Sequence, residues 1–152
     1  MNRLLAPLFV LLAGLAWSCN IVVGPDGPDG RDLRSAQALW ARRGPVDYEY
    51  VVRNQCFCGL GGVPVRVAVV NGSVQSATIV ATGQPVPSSS LQMYRDIEGL
   101  FGVLEDAIER DAVRVDAEYD DTFGFPSLVA IDYRSHIADE EFGWVIDSFT
   151  PR

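Results

Sequence analysis

Polar and hydrophobic residues alternate along several stretches of the chain, and this alternation predicts a β-sheet. In the stretch from Tyr48 to Cys58, the side chains of Tyr48, Tyr50, Val52 and Cys56 fall on one side. Most of their neighbours are polar or charged, and successive side chains of a strand point to opposite faces. We therefore expect a strand with one buried face and one solvated face.

A second pattern predicts a hairpin. Two stretches rich in valine, residues 63–70 and 74–80, are separated by Asn71-Gly72. Both residues of this dipeptide tolerate a positive φ, which a type I′ turn requires. Three later stretches alternate in the same way and predict three more strands, at residues 113–119, 128–133 and 142–149.

Two stretches have the period of an amphipathic helix. The first covers residues 33–43, with Asp32 as its N-cap and Gly44-Pro45 after its last turn. The second covers residues 96–110, where apolar residues recur at helical spacing: Ile97, Leu100, Phe101, Leu104 and Ile108. The predicted order is α-β-β-β-α-β-β-β. This order favours an α+β fold with an antiparallel sheet of about six strands and two helices on one face. Because a helix followed by three strands occurs twice in this order, we also consider the hypothesis that the domain is a duplicated helix-plus-three-strand unit.

The amino-terminal residues predict export. Arg3 is followed by an apolar stretch that is too short to cross a membrane, and small residues precede Cys19. Residues 1–18 are therefore predicted to be a signal peptide. Residues 15–19 resemble the lipobox of bacterial lipoproteins, which predicts lipidation of Cys19, although ordinary signal-peptidase cleavage also fits. Asn20 favours the outer membrane by resemblance to sorting signals.

The mature chain is expected to have two parts. Residues 19–32 are rich in glycine, proline and aspartate, which predicts a flexible tether. Residues 33–152 have the length of a single α+β domain. The predicted location is the bacterial envelope, either on an outer-membrane anchor facing the periplasm or cell surface, or as a secreted protein.

Composition narrows the possible partners. The formal net charge of −8 opposes binding to a nucleic-acid backbone, so no nucleic acid is expected. All twelve basic residues are arginines, which excludes chemistry that needs a lysine. No cofactor motif is found, and none is predicted. An envelope protein or a small ligand is the expected partner, with the membrane reached through lipidated Cys19.

Cys56 and Cys58 are the residues most suited to chemistry, and several interpretations stay open. Export favours a disulfide between them, which requires the strand to bend; so short a ring would be strained and easily reduced. Two thiolates could instead bind a soft metal ion, with His136 as a further ligand. Redox exchange and inert thiols are the other possibilities.

Catalysis would depend on His136, because it is the chain's single histidine. It could serve as a general base oriented by Asp132 or Asp139, but no nucleophile elbow is present. A pair of carboxylates could also form between residues 120–121 and residues 139–141. Both are less favoured than a domain without enzymatic activity.

Four short motifs together resemble a family of uncharacterised bacterial exported domains. They are Tyr48-Glu-Tyr50, Cys56-Phe-Cys58-Gly59, Ile131-Asp132-Tyr133 and Ala138-Asp-Glu-Glu141. The resemblance covers residues 33–149. It implies a lipoprotein or secreted protein that contains one domain of unknown function, and it implies no activity or catalytic residue. We expect a binding or interaction module of the envelope, with a thiol or metal function and an enzyme as alternatives.

Overall fold

The computed structural model describes residues 28–134 and 141–152. Within these residues, two α-helices and six strands follow the predicted order. They are α1 (Pro28–Arg43), β1 (Tyr48–Gln55), β2 (Val65–Val70), β3 (Ser73–Ile79), α2 (Ile97–Glu109), β4 (Arg114–Tyr119), β5 (Pro126–Asp132) and β6 (Glu141–Pro151). A short 3₁₀ helix, Leu91–Met93, precedes α2. The predicted α+β class is confirmed.

The six strands form one antiparallel sheet in the order β3-β2-β1-β6-β5-β4. The predicted hairpin joins β2 to β3, with φ values of 53° at Asn71 and 68° at Gly72. The two halves of the chain meet where β1 pairs with β6. The first half therefore contributes its first strand to the centre of the sheet, whereas the second half contributes its last. The two halves therefore share an order of elements, but their corresponding strands do not occupy equivalent positions in the sheet, as β1 is central and β4 lies at an edge.

Both helices pack on one face of the sheet, and they run antiparallel to each other. Gln37 of α1 donates to Glu105 of α2 over 2.8 Å, and Trp40 donates to Glu98 over 2.9 Å. Trp40 also lies edge-on to Tyr48, with ring centroids 5.4 Å apart. The core between the helices and the sheet is formed mainly by aliphatic and aromatic residues of α2, β1, β2 and β5.

Two tyrosines of β1 connect the sheet to the start of α2. The hydroxyl of Tyr48 accepts a hydrogen bond from the backbone N–H of Ile97 over 2.8 Å, and the hydroxyl of Tyr50 donates to the carbonyl of Arg95. Burial is the main cause that raises the pKa of each hydroxyl above its ordinary value. The two tyrosines therefore stay neutral, and they fix where α2 begins.

Helix α1 begins at Pro28, five residues before the predicted start at Leu33. Residues 28–32 of the predicted tether are therefore helical, and Asp32 lies inside the helix rather than at its cap. Proline suits a first helical position because its missing N–H would have no partner there. Acidic residues near the start of a helix are also favourable, since they complement its positive end.

Strand boundaries also differ from the pattern. Strand β1 ends at Gln55 rather than Cys58, and β2 begins at Val65 rather than Val63. The chain bends over residues 56–58, and Pro64 lacks the N–H that a strand would use. Strand β5 begins two residues earlier than predicted, at Pro126. Among the described residues, no helix has the length and hydropathy needed to cross a membrane.

Candidate functional site

The loop between β1 and β2 brings the two predicted cysteines together. The Sγ atoms of Cys56 and Cys58 lie 2.06 Å apart, which is disulfide distance, and their Cα atoms are separated by 5.3 Å. The bend that the sequence required for such a pair is present, because β1 ends one residue before Cys56. We call residues 56–64 the cysteine loop.

Backbone hydrogen bonds hold the cysteine loop closed. The N–H of Gly62 donates to the carbonyl of Asn54 over 2.8 Å, and the N–H of Gly61 donates to the carbonyl of Cys58 over 3.0 Å. A Cβ atom at Gly61 would lie 2.4 Å from the carbonyl oxygen of Cys56, so only glycine fits there. The loop thus has a defined shape that does not depend on the bridge alone.

A cleft of about 270 Å³ lies beside this loop. Its lining includes Gln55, Cys56, Phe57, Arg114, Asp132 and Glu141. Four of these residues belong to strands, where they alternate with residues that face the helices. The cleft, which we call the cysteine cleft, therefore lies on the face of the sheet opposite the helices.

The cysteine cleft is acidic. Arg114 pairs with the carboxylate of Asp116, whose Oδ2 lies 2.6 Å from its Nε. This pair is the main cause that raises the pKa of the Arg114 guanidinium, and the charges of Asp132 and Glu141 raise it further. Three carboxylates, those of Asp116, Asp132 and Glu141, therefore act on one guanidinium, which leaves an excess of negative charge at the cleft.

Phe57 is the most exposed of the large hydrophobic side chains in the described part of the chain. It is 93% exposed and stands between the two cysteines at the edge of the cysteine cleft. Val46, the next most exposed, is 65% exposed and lies just before β1, at the opposite end of the sheet. Sequence reasoning missed Phe57. The signal that could have found it is its position between two cysteines. If these cysteines are bridged, the chain must bend, and a bent chain no longer holds the ring against the core.

Arg114 was also missed. Its signal was its place at the start of a predicted strand beside acidic residues. Only the sheet, however, could show that Arg114 pairs with Asp132 of β5 and that Asp132 pairs in turn with Glu141 of β6. Asp132, proposed as a partner of His136, does line the cysteine cleft.

The remaining predicted site residues fall outside the described ranges or do not converge. Cys19, His136 and Asp139 lie outside the described residues. The carboxylate pair considered as an alternative does not form between Asp120 and Glu141. Glu141 begins β6 beside the end of β5, whereas Asp120 follows the far end of β4. Their separation along the strands is roughly 20 Å at about 3.3 Å per residue.

Metal binding at the cysteines would need the reduced pair, since a bridged cysteine offers no thiolate. Within residues 28–134 and 141–152, no group of three or more histidine, cysteine or acidic side chains is placed to hold a metal ion.

A wider groove of about 620 Å³ lies over α2 on the helix side of the sheet. Met93, Val103, Tyr133 and Phe142 contribute apolar surface to it. Arg110 stacks over the ring of Tyr133, with 4.8 Å between the guanidinium carbon and the ring centroid. Tyr133 and Phe142 also pack against the core, as expected for aromatic residues of strands and their ends.

The fold and the site together define a class of small α+β domain. A six-stranded antiparallel sheet carries two helices on one face and a Cys-x-Cys loop beside an acidic cleft on the other. Residues 32–151 match a family of unknown function, DUF6174, and the chain belongs to this family. Comparison with curated proteins found no match, and neither did comparison with solved structures.

Proposed function

We propose that this protein is an exported domain of the bacterial envelope that acts by binding another envelope component rather than by catalysis. The observation that carries this proposal is Phe57, whose side chain is 93% exposed on a closed loop. An aromatic side chain held in solvent costs free energy that burial in a partner would recover. Aromatic residues are also enriched among those that dominate binding energy.

The surroundings of Phe57 suit a protein contact. The backbone hydrogen bonds of the cysteine loop limit the entropy that would be lost when the loop is bound. The cysteine cleft beside it offers Gln55 and two carboxylates as polar partners. An exposed aromatic residue next to a small polar cleft has the composition of an interface core with a polar rim.

Anchoring by Cys19 is the second part of the proposal. It is supported by the short apolar leader and the small residues before this cysteine. A diacylated amino terminus would bind a bilayer strongly, since each buried methylene contributes about 0.8 kcal/mol. We place the domain on the outer membrane, facing the periplasm or the cell surface, with secretion as the alternative.

Mass spectrometry of the mature amino terminus tests the anchoring. We expect a chain that begins at Cys19 and carries acyl groups, recovered with the outer-membrane fraction. A chain that begins at Cys19 without added mass would replace anchoring by secretion. Recovery of uncleaved protein from the cytosol would overturn export itself.

Affinity capture from envelope extracts tests the binding role. We expect a partner that is captured by the wild-type protein and lost with Phe57→Ser. Val46→Ser is the control, because it removes the next most exposed large apolar side chain of the described residues, at the other end of the sheet. Equal capture by both variants, or none by the wild type, would contradict the proposal. The enzyme alternative stays untested, because His136 lies outside the described residues.

A further inference from the structure

The bridge between Cys56 and Cys58 is poorly placed to stabilise the fold. A crosslink stabilises a protein more when it closes a longer loop, and here a single residue lies between the two cysteines. The cysteine loop is already closed by backbone hydrogen bonds from Gly61 and Gly62. Opening the bridge should therefore leave the loop and the sheet in place.

The bridge is also accessible. Both cysteines are only partly buried, and their neighbours Phe57 and Gly59 are exposed. Cys56 lines the cysteine cleft, so a group that enters the cleft lies next to one of the two bridged residues. Thiol exchange needs this access, because a thiolate must approach one sulfur of the disulfide directly.

From these observations we propose that Cys56 and Cys58 form a thiol–disulfide exchange site for cysteines of other exported polypeptides. The inference goes beyond the binding role and uses only its premise of export. A thiolate of the partner attacks the Sγ atom of Cys56, and the bond to Cys58 breaks. Cys58 leaves as a thiolate and takes up a proton.

A second thiolate of the partner then attacks the partner's own sulfur in the mixed disulfide. Cys56 leaves as a thiolate and is protonated. The partner's two thiols lose two electrons and two protons to become a disulfide, and Cys56 and Cys58 gain them. The oxidant is the Cys56–Cys58 bridge itself, so each bridge oxidises one pair of thiols.

The charge of the cysteine cleft selects the partner. Asp132 and Glu141 line the cleft, and the nearby Arg114 is already paired with Asp116. A thiol flanked by basic side chains is therefore attracted, and a thiol flanked by acidic side chains is repelled. Phe57 at the edge offers an apolar contact to the same segment.

The first test equilibrates the full protein, purified after export, in glutathione buffers of increasing reducing power. Alkylation and mass spectrometry then count free thiols at Cys56 and Cys58. We expect reversible conversion between the bridged and two-thiol forms while the near-ultraviolet circular dichroism of the folded state is retained. A pair that stays bridged in every buffer, or a fold that is lost on reduction, would overturn the proposal.

The second test compares two small thiols, cationic cysteamine and anionic 2-mercaptoethanesulfonate, in their rates of opening the bridge. Rates with the urea-unfolded chain correct for the different reactivity of the two thiols. At low ionic strength we expect the folded protein to favour cysteamine by about fivefold, and salt should reduce this preference. No preference would overturn the charge selection.

Single variants locate the effect. Glu141→Gln and Asp132→Asn should each lower the preference for cysteamine, whereas Asp121→Asn, in an exposed turn at the opposite end of the sheet, should not. Equal loss in all three would overturn the assignment to the cysteine cleft. If a partner is captured through Phe57 but its thiols are never oxidised, the proposed binding function is supported and the proposed thiol–disulfide exchange is wrong.

Discussion

The two faces of the sheet consist of the same strands but differ in what holds their side chains. On the helix side, Tyr48, Tyr50 and Trp144 are almost fully buried, and each has a hydrogen-bond partner in the backbone. On the open side, Glu49 pairs with two arginines, and these side chains remain partly in solvent. One face therefore fixes the fold, whereas the other is free to carry a site.

The largest difference between the faces should appear at two adjacent residues of β6. Trp144→Ala removes a fully buried ring and its hydrogen bond to the carbonyl of Pro126, and should lower the free energy of unfolding by about 3–5 kcal/mol. Val145→Ala on the open face should cost clearly less. Urea denaturation measures both. Equal losses would contradict the division between the faces.

Gly143 is an exception to the looser packing of the open face. It lies on the open side, but a Cβ atom there would lie 2.2 Å from the carbonyl oxygen of Val129. Gly143→Ala should therefore cost about 1–3 kcal/mol through forced displacement of backbone. Ala130→Gly, at the paired position, is a control for the general effect of glycine in a strand. If Gly143→Ala matched wild type in urea denaturation, the sheet would have to be looser here than the geometry indicates.

The buried tyrosines should make the covered face sensitive to alkali. Tyrosine ionises near pH 10 in an unfolded chain, and burial raises the pKa of Tyr48 and Tyr50 above that value. Their contribution to stability is therefore fully present below about pH 10 and is lost as the pH rises further, since only the unfolded chain then releases these protons.

Hydroxyl deletion tests this statement. Tyr50→Phe should lower stability at neutral pH by about 1–3 kcal/mol, because the carbonyl of Arg95 loses its donor. The double variant with Tyr48→Phe should also have a flatter loss of stability above pH 10, measured by urea denaturation across pH. Tyr133→Phe, at a partly exposed ring whose pKa burial also raises, should flatten this loss less than the double variant does. An unchanged alkaline slope in the double variant would show that other groups control it.

The smallest effect should come from the charge pairs of the open face. Glu49 accepts from Arg66 over 2.9 Å and also pairs with Arg152. Glu49→Gln should lower stability by only about 0.2–1 kcal/mol, and added salt should shrink the difference. Thermal or urea denaturation measures the loss. If it were as large as that of Trp144→Ala, the charge pairs of the open face would contribute as much to stability as the buried core does.

Local patterns in the sequence predicted most of the fold. The alternation around Tyr48 and Tyr50 and the Asn71-Gly72 turn depend on neighbouring residues, so they could be recognised without the tertiary structure. The early start of α1 could not, because residues 28–32 have the composition of a spacer and form a helix beside a core that the sequence does not display.

The sequence could predict the cysteine pair of the site but not the residues that surround it. Only Phe57 separates Cys56 from Cys58 in the sequence, so a bond between them could be considered at once. Arg114, Asp132 and Glu141 come from three strands, and only the register of the sheet places them beside Cys56. The exposure of Phe57 likewise depends on where β1 ends.

By itself, then, the sequence determined the order of elements, the buried face of each strand and the short distance between the two cysteines. Each of these follows from the period of a helix or a strand, or from a few covalent bonds. The tertiary structure decided which strands became neighbours, where the cleft formed and which charges surround it. Those outcomes depend on contacts between residues far apart in the chain, and a local pattern does not specify which distant segments will pair.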